Sequence, residues 1–305
     1  MKAVIGVPVA SVWESPTAPR AVDAPALAGE PDMATWLSQL GTQERLDLLG
    51  RLCTQGLLGE EVAIVDERQG WSEVRLPRQS TSLDPDGYPG WVRSDHLSAL
   101  PSRNKTNSVG SASDASSEQS WVVAARLLLT WHDRRCTSPA ELLSMGTEVF
   151  LDDVNSHQSV VSVRTVRGQR WIERDAISVG GTLRFMVTSA QRFLGVQYLW
   201  GGLSGWGVDC SGLIHLSSRA AGLDTPRDCS DQRRFFGAPP PCAGTPVFFR
   251  NSPSHPQRPS QIHHVGLALS SDLMLHAPRS GRVVEVLPLG AEPYASELEI
   301  EETCR

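Results

Sequence analysis

The sequence predicts an α+β domain at its C-terminal end, preceded by two small all-β domains. Three observations carry this expectation. Residues 198–221, YLWGGLSGWGVDCSGLIHLSSRAA, pass from a glycine-dense half into a half with helically spaced apolar residues. Residues 262–277 read as two strands joined by the tight turn Ser270-Ser271-Asp272. Before residue 179, short strands recur between turn residues. The 305 residues, 40% apolar and 20% charged, are enough for two or three domains with proper cores.

Within residues 1–100 the expected strands are Val4–Val12, Glu61–Asp66, Ser72–Leu76 and Gly90–Arg93. A helical insert, Met33–Leu57, is expected between the first two, with Thr42 as a cap and Leu46, Leu49 and Leu52 as its apolar side. The run VDERQGWSEV followed by DGYPGWV resembles a bacterial SH3-like barrel, in which Trp71 and Trp91 would be core residues. Residues 101–120, rich in Ser, Asn and Asp, read as a linker. Residues 121–178 return to strands at Trp121–Thr130, Gly146–Leu151, Val160–Arg164 and Gln169–Ile172. Their spacing echoes the first unit, so a second, degenerate SH3-like barrel is expected. Residues 179–305 form the last domain. It opens on a helix, Thr182–Leu194, capped by Thr182, ended by Gly195 and carrying Leu183, Met186, Ala190 and Phe193 on one face.

Gly201, Gly202, Gly205 and Gly207 permit positive φ and close packing, and they deliver Cys210 to the first turn of a helix. Leu213, Ile214, Leu216 and Ala221 mark that helix and Gly222 closes it. Unpaired N–H groups and the positive end of the dipole favour a thiolate at such a place. A buried structural cysteine is the equal alternative at this point. In the hairpin, a turn centred on Ser271 sets His276 opposite Gly266 and His264 opposite Pro278. His264 and His276 then become diagonal neighbours on one face. A base oriented by a second polar side chain is what a cysteine nucleophile needs; a pair of surface histidines is the alternative.

YxWGG, then GxDCSGL with the cysteine twelve positions after Tyr198, then HHVG and HA twelve apart, resembles the NlpC/p60 cysteine peptidases. The resemblance spans roughly residues 180–289. It implies a papain-like α+β domain that cuts cell-wall peptides, with Cys210 as nucleophile, His264 as general base, His276 orienting it, and Tyr198 helping to stabilise the oxyanion. The chain departs from the family at Gly244-Thr245-Pro246, where Gly-Asp-Leu is usual. Two SH3-like barrels and PRDCSDQ at residues 226–232 resemble the γ-D-glutamyl-L-diamino acid dipeptidyl-peptidase branch. That branch implies a murein tripeptide or longer stem peptide as partner, with a free N-terminal L-Ala. Asp209, Glu60 and Tyr88 would hold the ammonium, and Ser211 and Arg227 the D-Glu α-carboxylate. A general wall endopeptidase or amidase, with the barrels as wall-binding modules, is the alternative; an inactive binding protein is disfavoured because every catalytic position holds a competent residue type.

The net charge of −6 gives no reason to expect nucleic acid or an anionic membrane as a partner. No apolar run approaches the length of a spanning helix. The opening MKAVIGVPVASVW lacks a basic flank and reads as a strand, not a signal peptide. Six scattered cysteines suit a reducing compartment. A cytoplasmic place is therefore expected, or a secreted one had a leader been removed. Cys229, Cys242, His255 and His263 lack zinc-ligand spacing, so neither metal nor cofactor is expected.

Overall fold

The computed structural model describes residues 1–100, 120–154, 156–181, 183–253, 260–291, 294 and 297–299; the expected linker, apart from Ser120, and the expected cap Thr182 lie outside them. Seven antiparallel strands build the first sheet: β1 (Lys2–Ile5) and β2 (Val9–Trp13), then β3 (Leu52–Leu57), β4 (Glu61–Arg68), β5 (Trp71–Leu76), β6 (Tyr88–Arg93) and β7 (Leu97–Ala99). Their order is β3-β2-β6-β5-β4-β1-β7, an open sheet and not the closed barrel expected. The single strand expected over Val4–Val12 is two strands, because Pro8 offers no N–H to a ladder and Gly6 turns its own N–H to the His96 carbonyl.

The helical insert is shorter than its pattern suggests. It holds α1 (Met33–Gln39), capped by Asp32, and α2 (Thr42–Leu46), whose cap position is Gly41, not Thr42. Gly50, at φ +74°, then ends the helical turns, and Leu52–Leu57 is the edge strand β3. The expected apolar side is accordingly wrong: Leu46 and Leu49 are half exposed, whereas Leu48 and Trp36 are fully buried. The Trp36 indole donates to Asp23 at 2.9 Å, which pins the insert.

A second seven-stranded sheet comprises β8 (Ser120–Val123), β9 (Leu127–Trp131), β10 (Pro139–Ser144), β11 (Glu148–Leu151), β12 (Val160–Thr165), β13 (Gly168–Glu173) and β14 (Ile177–Ser178). Its order, β10-β9-β13-β12-β11-β8-β14, repeats the first sheet strand for strand, and it too is open. Even the weakest pairing is reproduced: Trp13 meets Trp91 in the first sheet and Trp131 meets Trp171 in the second. The expected strand Trp121–Thr130 is again split in two.

Helix α3 (Leu183–Gln191) follows, three residues shorter than expected at its C-terminal end, with Met186, Ala190 and Phe193 buried. A short ribbon of β15 (Leu203–Ser204) and β16 (Gly207–Val208) leads into α4 (Cys210–Ala220), and α5 (Cys229–Phe236) comes next. The last sheet contains β17 (Pro246–Arg250), β18 (Ile262–Ala268), β19 (Leu273–His276), β20 (Glu285–Pro288) and β21 (Leu298–Glu299), in the order β20-β19-β18-β17-β21. Every residue of α4 is buried, its polar ones included. Leu213, Ile214 and Leu216 are fully enclosed, and each contributes about 1.5–3 kcal/mol by leaving water. One core runs from Trp13, Leu52 and Trp71 of the first sheet through Trp36 to Phe193, Leu199, Leu213 and Phe248, so the first sheet is packed into the last domain. The Gly244-Thr245-Pro246 departure leaves its turn intact: the Gly244 N–H donates to Ala268, and Thr245 closes on Cys242.

Candidate active site

Two glycines show what the segment before the cysteine requires. Gly201 lies at φ +69° against the Leu52 carbonyl, and at Gly205 a Cβ would stand 2.0 Å from the Arg126 carbonyl oxygen. Asp209 then locks the turn as the N-cap of α4. Its Oδ1 accepts from the Gly212 N–H at 2.7 Å and the Ser211 hydroxyl at 3.1 Å, and its Oδ2 accepts from the Gly201 N–H at 3.0 Å. Arg227 grips both oxygens, at 3.0 and 2.8 Å. Cys210 is thereby held as the first residue of the helix.

The two histidines come together as the hairpin register expects, with Leu267 opposite Leu275 and Ala268 opposite Met274. His264 Nε2 and His276 Nδ1 are 2.9 Å apart, and the His264 ring also contacts the Cys210 thiol. His276 Nε2 lies 3.9 Å from a carboxylate oxygen of Glu285. The ring of Tyr294 packs on both imidazoles, with centroids 5.1 and 5.0 Å away. Contact with the Cys229 thiol, and then burial, pushes the Cys210 thiol well above its ordinary value, although His264 pulls it down. Burial holds His264 below the usual imidazole range and pushes His276 down to about 4. The resting pair is therefore neutral thiol and neutral imidazole. The thiolate that a helix start alone would favour is outweighed by burial.

A cavity of about 990 Å³ opens over Cys210. Tyr88, Tyr198, Asp209, Ser211 and His264 line it, while His276 is fully buried behind His264. Three of the expected binding residues have other work. Glu60 does not reach the cavity: its carboxylate accepts from the Leu57 N–H at 3.1 Å and from Gln79 at 3.0 Å, fixing the β3–β4 turn, with Arg219 at 3.7 Å. Arg227 is buried beneath the cavity, where its guanidinium is taken by Asp209, the Ser211 hydroxyl at 3.0 Å and the Thr54 hydroxyl at 2.9 Å. Asp209 accepts five hydrogen bonds, which leaves its carboxylate no free site for an ammonium. A second aspartate at the cavity wall is Asp228, whose Oδ1 accepts from the Tyr88 hydroxyl at 3.3 Å. Among the described residues no group of three His, Cys, Asp or Glu side chains is placed to hold a metal; His255 lies outside them.

Residues 195–299 match the NlpC/P60 family, and residues 49–97 match the bacterial dipeptidyl-peptidase Sh3 domain. Over 308 residues the chain is 32% identical to a Gamma-D-glutamyl-L-lysine dipeptidyl-peptidase of Bacillus subtilis (strain 168), covering 95% of this chain and 94% of that one. The chain belongs to the NlpC/P60 family. A protein of the same name from Bacillus cereus (strain ATCC 10987 / NRS 248) is 29% identical over 97% of this chain and 89% of its own. The crystal structure of an NlpC/P60 family protein from Bacillus cereus ATCC 10987 superposes with a TM-score of 0.81 at 26% identity, covering 98% of this chain and 97% of the other.

As an NlpC/P60 cysteine peptidase, the chain also has at the cavity wall Trp200 and Asp228, which lie within YxWGG and PRDCSDQ without a role assigned there, and Glu14 and Tyr294, which lie outside those motifs. One signal was available for the last. The chain has only three tyrosines, and all three line the cavity. Gln232, the end of PRDCSDQ, is a brace: its amide donates to the carbonyls of Ser211 and Pro226, each at 2.9 Å, and ties α5 to the start of α4.

The same burial makes this peptidase acid-labile. Desolvation pushes His215 down to about 3 and His276 to about 4, and lowers His264 and His96. Unfolded, each would titrate near 6.5, so below that pH the unfolded chain binds more protons than the native one. Stability is then full above about pH 6.5 and falls as pH drops, until the native histidines themselves protonate at about 4 and 3. Unfolding free energies from urea titrations between pH 7 and 4.5 should decline, by a few kcal/mol in total; a flat profile would show these histidines to be hydrated.

Proposed function

We propose that this enzyme hydrolyses the γ-D-glutamyl–diamino acid bond of murein peptides bearing a free N-terminal L-Ala, and that it serves in recycling such peptides rather than in opening intact wall. One observation carries the reading: the end of the cavity supplied by the first sheet presents Tyr88 and Glu14 near the half-buried Asp228. Burial raises the Asp228 pKa despite the neighbouring Arg227. A carboxyl in that state gains from a cation, and an L-Ala ammonium is a cation of the right size. The names of the two Bacillus relatives support the bond assigned.

In this reading Cys210 Sγ attacks the D-Glu side-chain carbonyl while His264 Nδ1 takes the thiol proton. His264 Nε2–H donates to His276 Nδ1, a tautomer inferred from these partners, and Glu285 faces the far nitrogen of His276. The imidazolium then protonates the departing amine, and water cleaves the thioester with His264 again as base. Tyr198, buried beside Cys210, is placed to donate to the oxyanion. Ser211 lines the cavity, but its hydroxyl already donates to Asp209 and accepts from Arg227, so it has no hydrogen to give the D-Glu α-carboxylate.

Acetylating the substrate amine removes its charge and adds bulk. Comparing free and acetylated L-Ala-γ-D-Glu-diaminopimelate should show a kcat/KM loss of roughly several tens-fold to several thousand-fold, the range for a buried charge pair. Tyr88→Phe should narrow that gap. Equal turnover of the two substrates, or cleavage of intact cross-linked wall, would instead make the enzyme a general wall endopeptidase with the SH3-like sheets as binding modules.

A further inference from the structure

The proposed hydrolysis uses one thiol, yet the cavity presents a second in contact with it. Cys210 is the first residue of α4, capped by Asp209, and Cys229 is the first residue of α5, where Asp228 holds the N-cap position without a side-chain capping bond. Both thiols line the cavity, both are free, and their side chains touch. The Cys229 thiol also reaches the Ile262 carbonyl at 3.9 Å, on the strand that carries His264. No step of peptide hydrolysis calls for Cys229.

We propose that Cys210 and Cys229 are a modification site, closing to a reversible disulfide under hydrogen peroxide that stops turnover and spares the nucleophile from further oxidation. The sulfur of Cys210, as thiolate, attacks one peroxide oxygen; an S–O bond forms, the O–O bond breaks, and the departing hydroxide takes a proton to become water. The Cys229 thiolate then attacks the sulfenic sulfur, forming the S–S bond and expelling the second oxygen, again as water once protonated. Two thiols thus give two electrons to one peroxide. The Cys229 thiol is already in contact with Cys210, whereas a second peroxide must diffuse in. His264, in contact with the Cys210 thiol, is the base that takes its proton for the attack.

Cys53 is the competing partner, since it also lines the cavity. Its thiol donates to the Glu14 carboxylate at 3.3 Å, and burial together with that acid raises its pKa, which suppresses the thiolate that resolution needs. Cys136 and Cys242 do not line the cavity.

The test is to treat the full chain with hydrogen peroxide, block remaining thiols with N-ethylmaleimide, and map the unreduced protein by mass spectrometry. A peptide pair joined through Cys210 and Cys229, lighter by two hydrogens, is expected, and dithiothreitol should restore most of the lost activity. In Cys229→Ser, peroxide should leave Cys210 as sulfinic or sulfonic acid, with little recovery. Cys210 over-oxidised while Cys229 remains alkylated in the native sequence, or Cys210 joined to Cys53, would overturn the proposal. The map reads thiols and not turnover, so it stands or falls independently of the peptide substrate proposed above.

Discussion

Cys210→Ala and His264→Ala are each expected to lose at least about a thousandfold in kcat, and the double variant should lose little more than either alone. Residues that act as a unit are not additive, since removing the nucleophile leaves the base nothing to deprotonate. Contact between the Cys210 thiol and the His264 ring makes them such a unit here. His276→Ala should be milder: its 2.9 Å contact orients His264, and the Tyr294 ring packed on His264 provides a second restraint. Single-turnover hydrolysis of L-Ala-γ-D-Glu-diaminopimelate would read all four. Strict additivity of the double variant, or a His276→Ala loss equal to that of His264→Ala, would break the division of roles. Iodoacetamide labelling completes the assignment: one equivalent that abolishes activity should map to Cys210, and labelling confined to Cys229 or Cys304 would refute it.

Arg227→Met is expected to destabilise the fold by about 3–5 kcal/mol, the range for removing one partner of a buried ion pair. Arg227 is 1% exposed and Asp209 7%, so neither charge can turn to water. Without the guanidinium, Asp209 keeps its three other donors but loses its counter-charge, and Thr54 in the first sheet loses its link to the last domain. Asp209→Asn combined with Arg227→Met should recover part of the loss, because no bare carboxylate remains. Urea unfolding monitored by tryptophan fluorescence would measure each variant. A single-variant loss under about 1 kcal/mol would mean that the pair is hydrated, and Asp209 would then be free to meet a substrate cation.

Asp209 shows how far motif reading reached. DCSG marked the helix start and the nucleophile position, and helix α4 begins there because Asp209 caps it. The hairpin register was also legible, since a tight turn counts residues outward and the period of two decides which side chains share a face. Residues 52–57 were not legible. Leucines at helical spacing run through the insert, but Gly50 reverses the chain, and β3 forms because β2 offers it a partner. The two sheets were expected to close into barrels; strand count and alternation do not specify closure, which depends on whether β3 and β7 meet.

What the sequence by itself determined is the local chemistry: a cysteine at a capped helix start, two histidines on one hairpin face, a strand spacing that echoes between the first two units. These depend on neighbours a few residues apart, or on a single turn. What only the tertiary structure decided is the work of charged residues brought together across the chain. Glu60, Asp209 and Arg227 all read as ligand groups, Asp209 foremost. Packing the first sheet against α4 buried all three and obliged each to find partners inside the protein, Glu60 with Gln79 and Arg227 with Asp209. Asp228, one residue beyond Arg227, was left at the cavity wall with Tyr88. A carboxylate's role follows from whether water or a protein donor reaches it, and that is set by how the first sheet packs against α4 and α5.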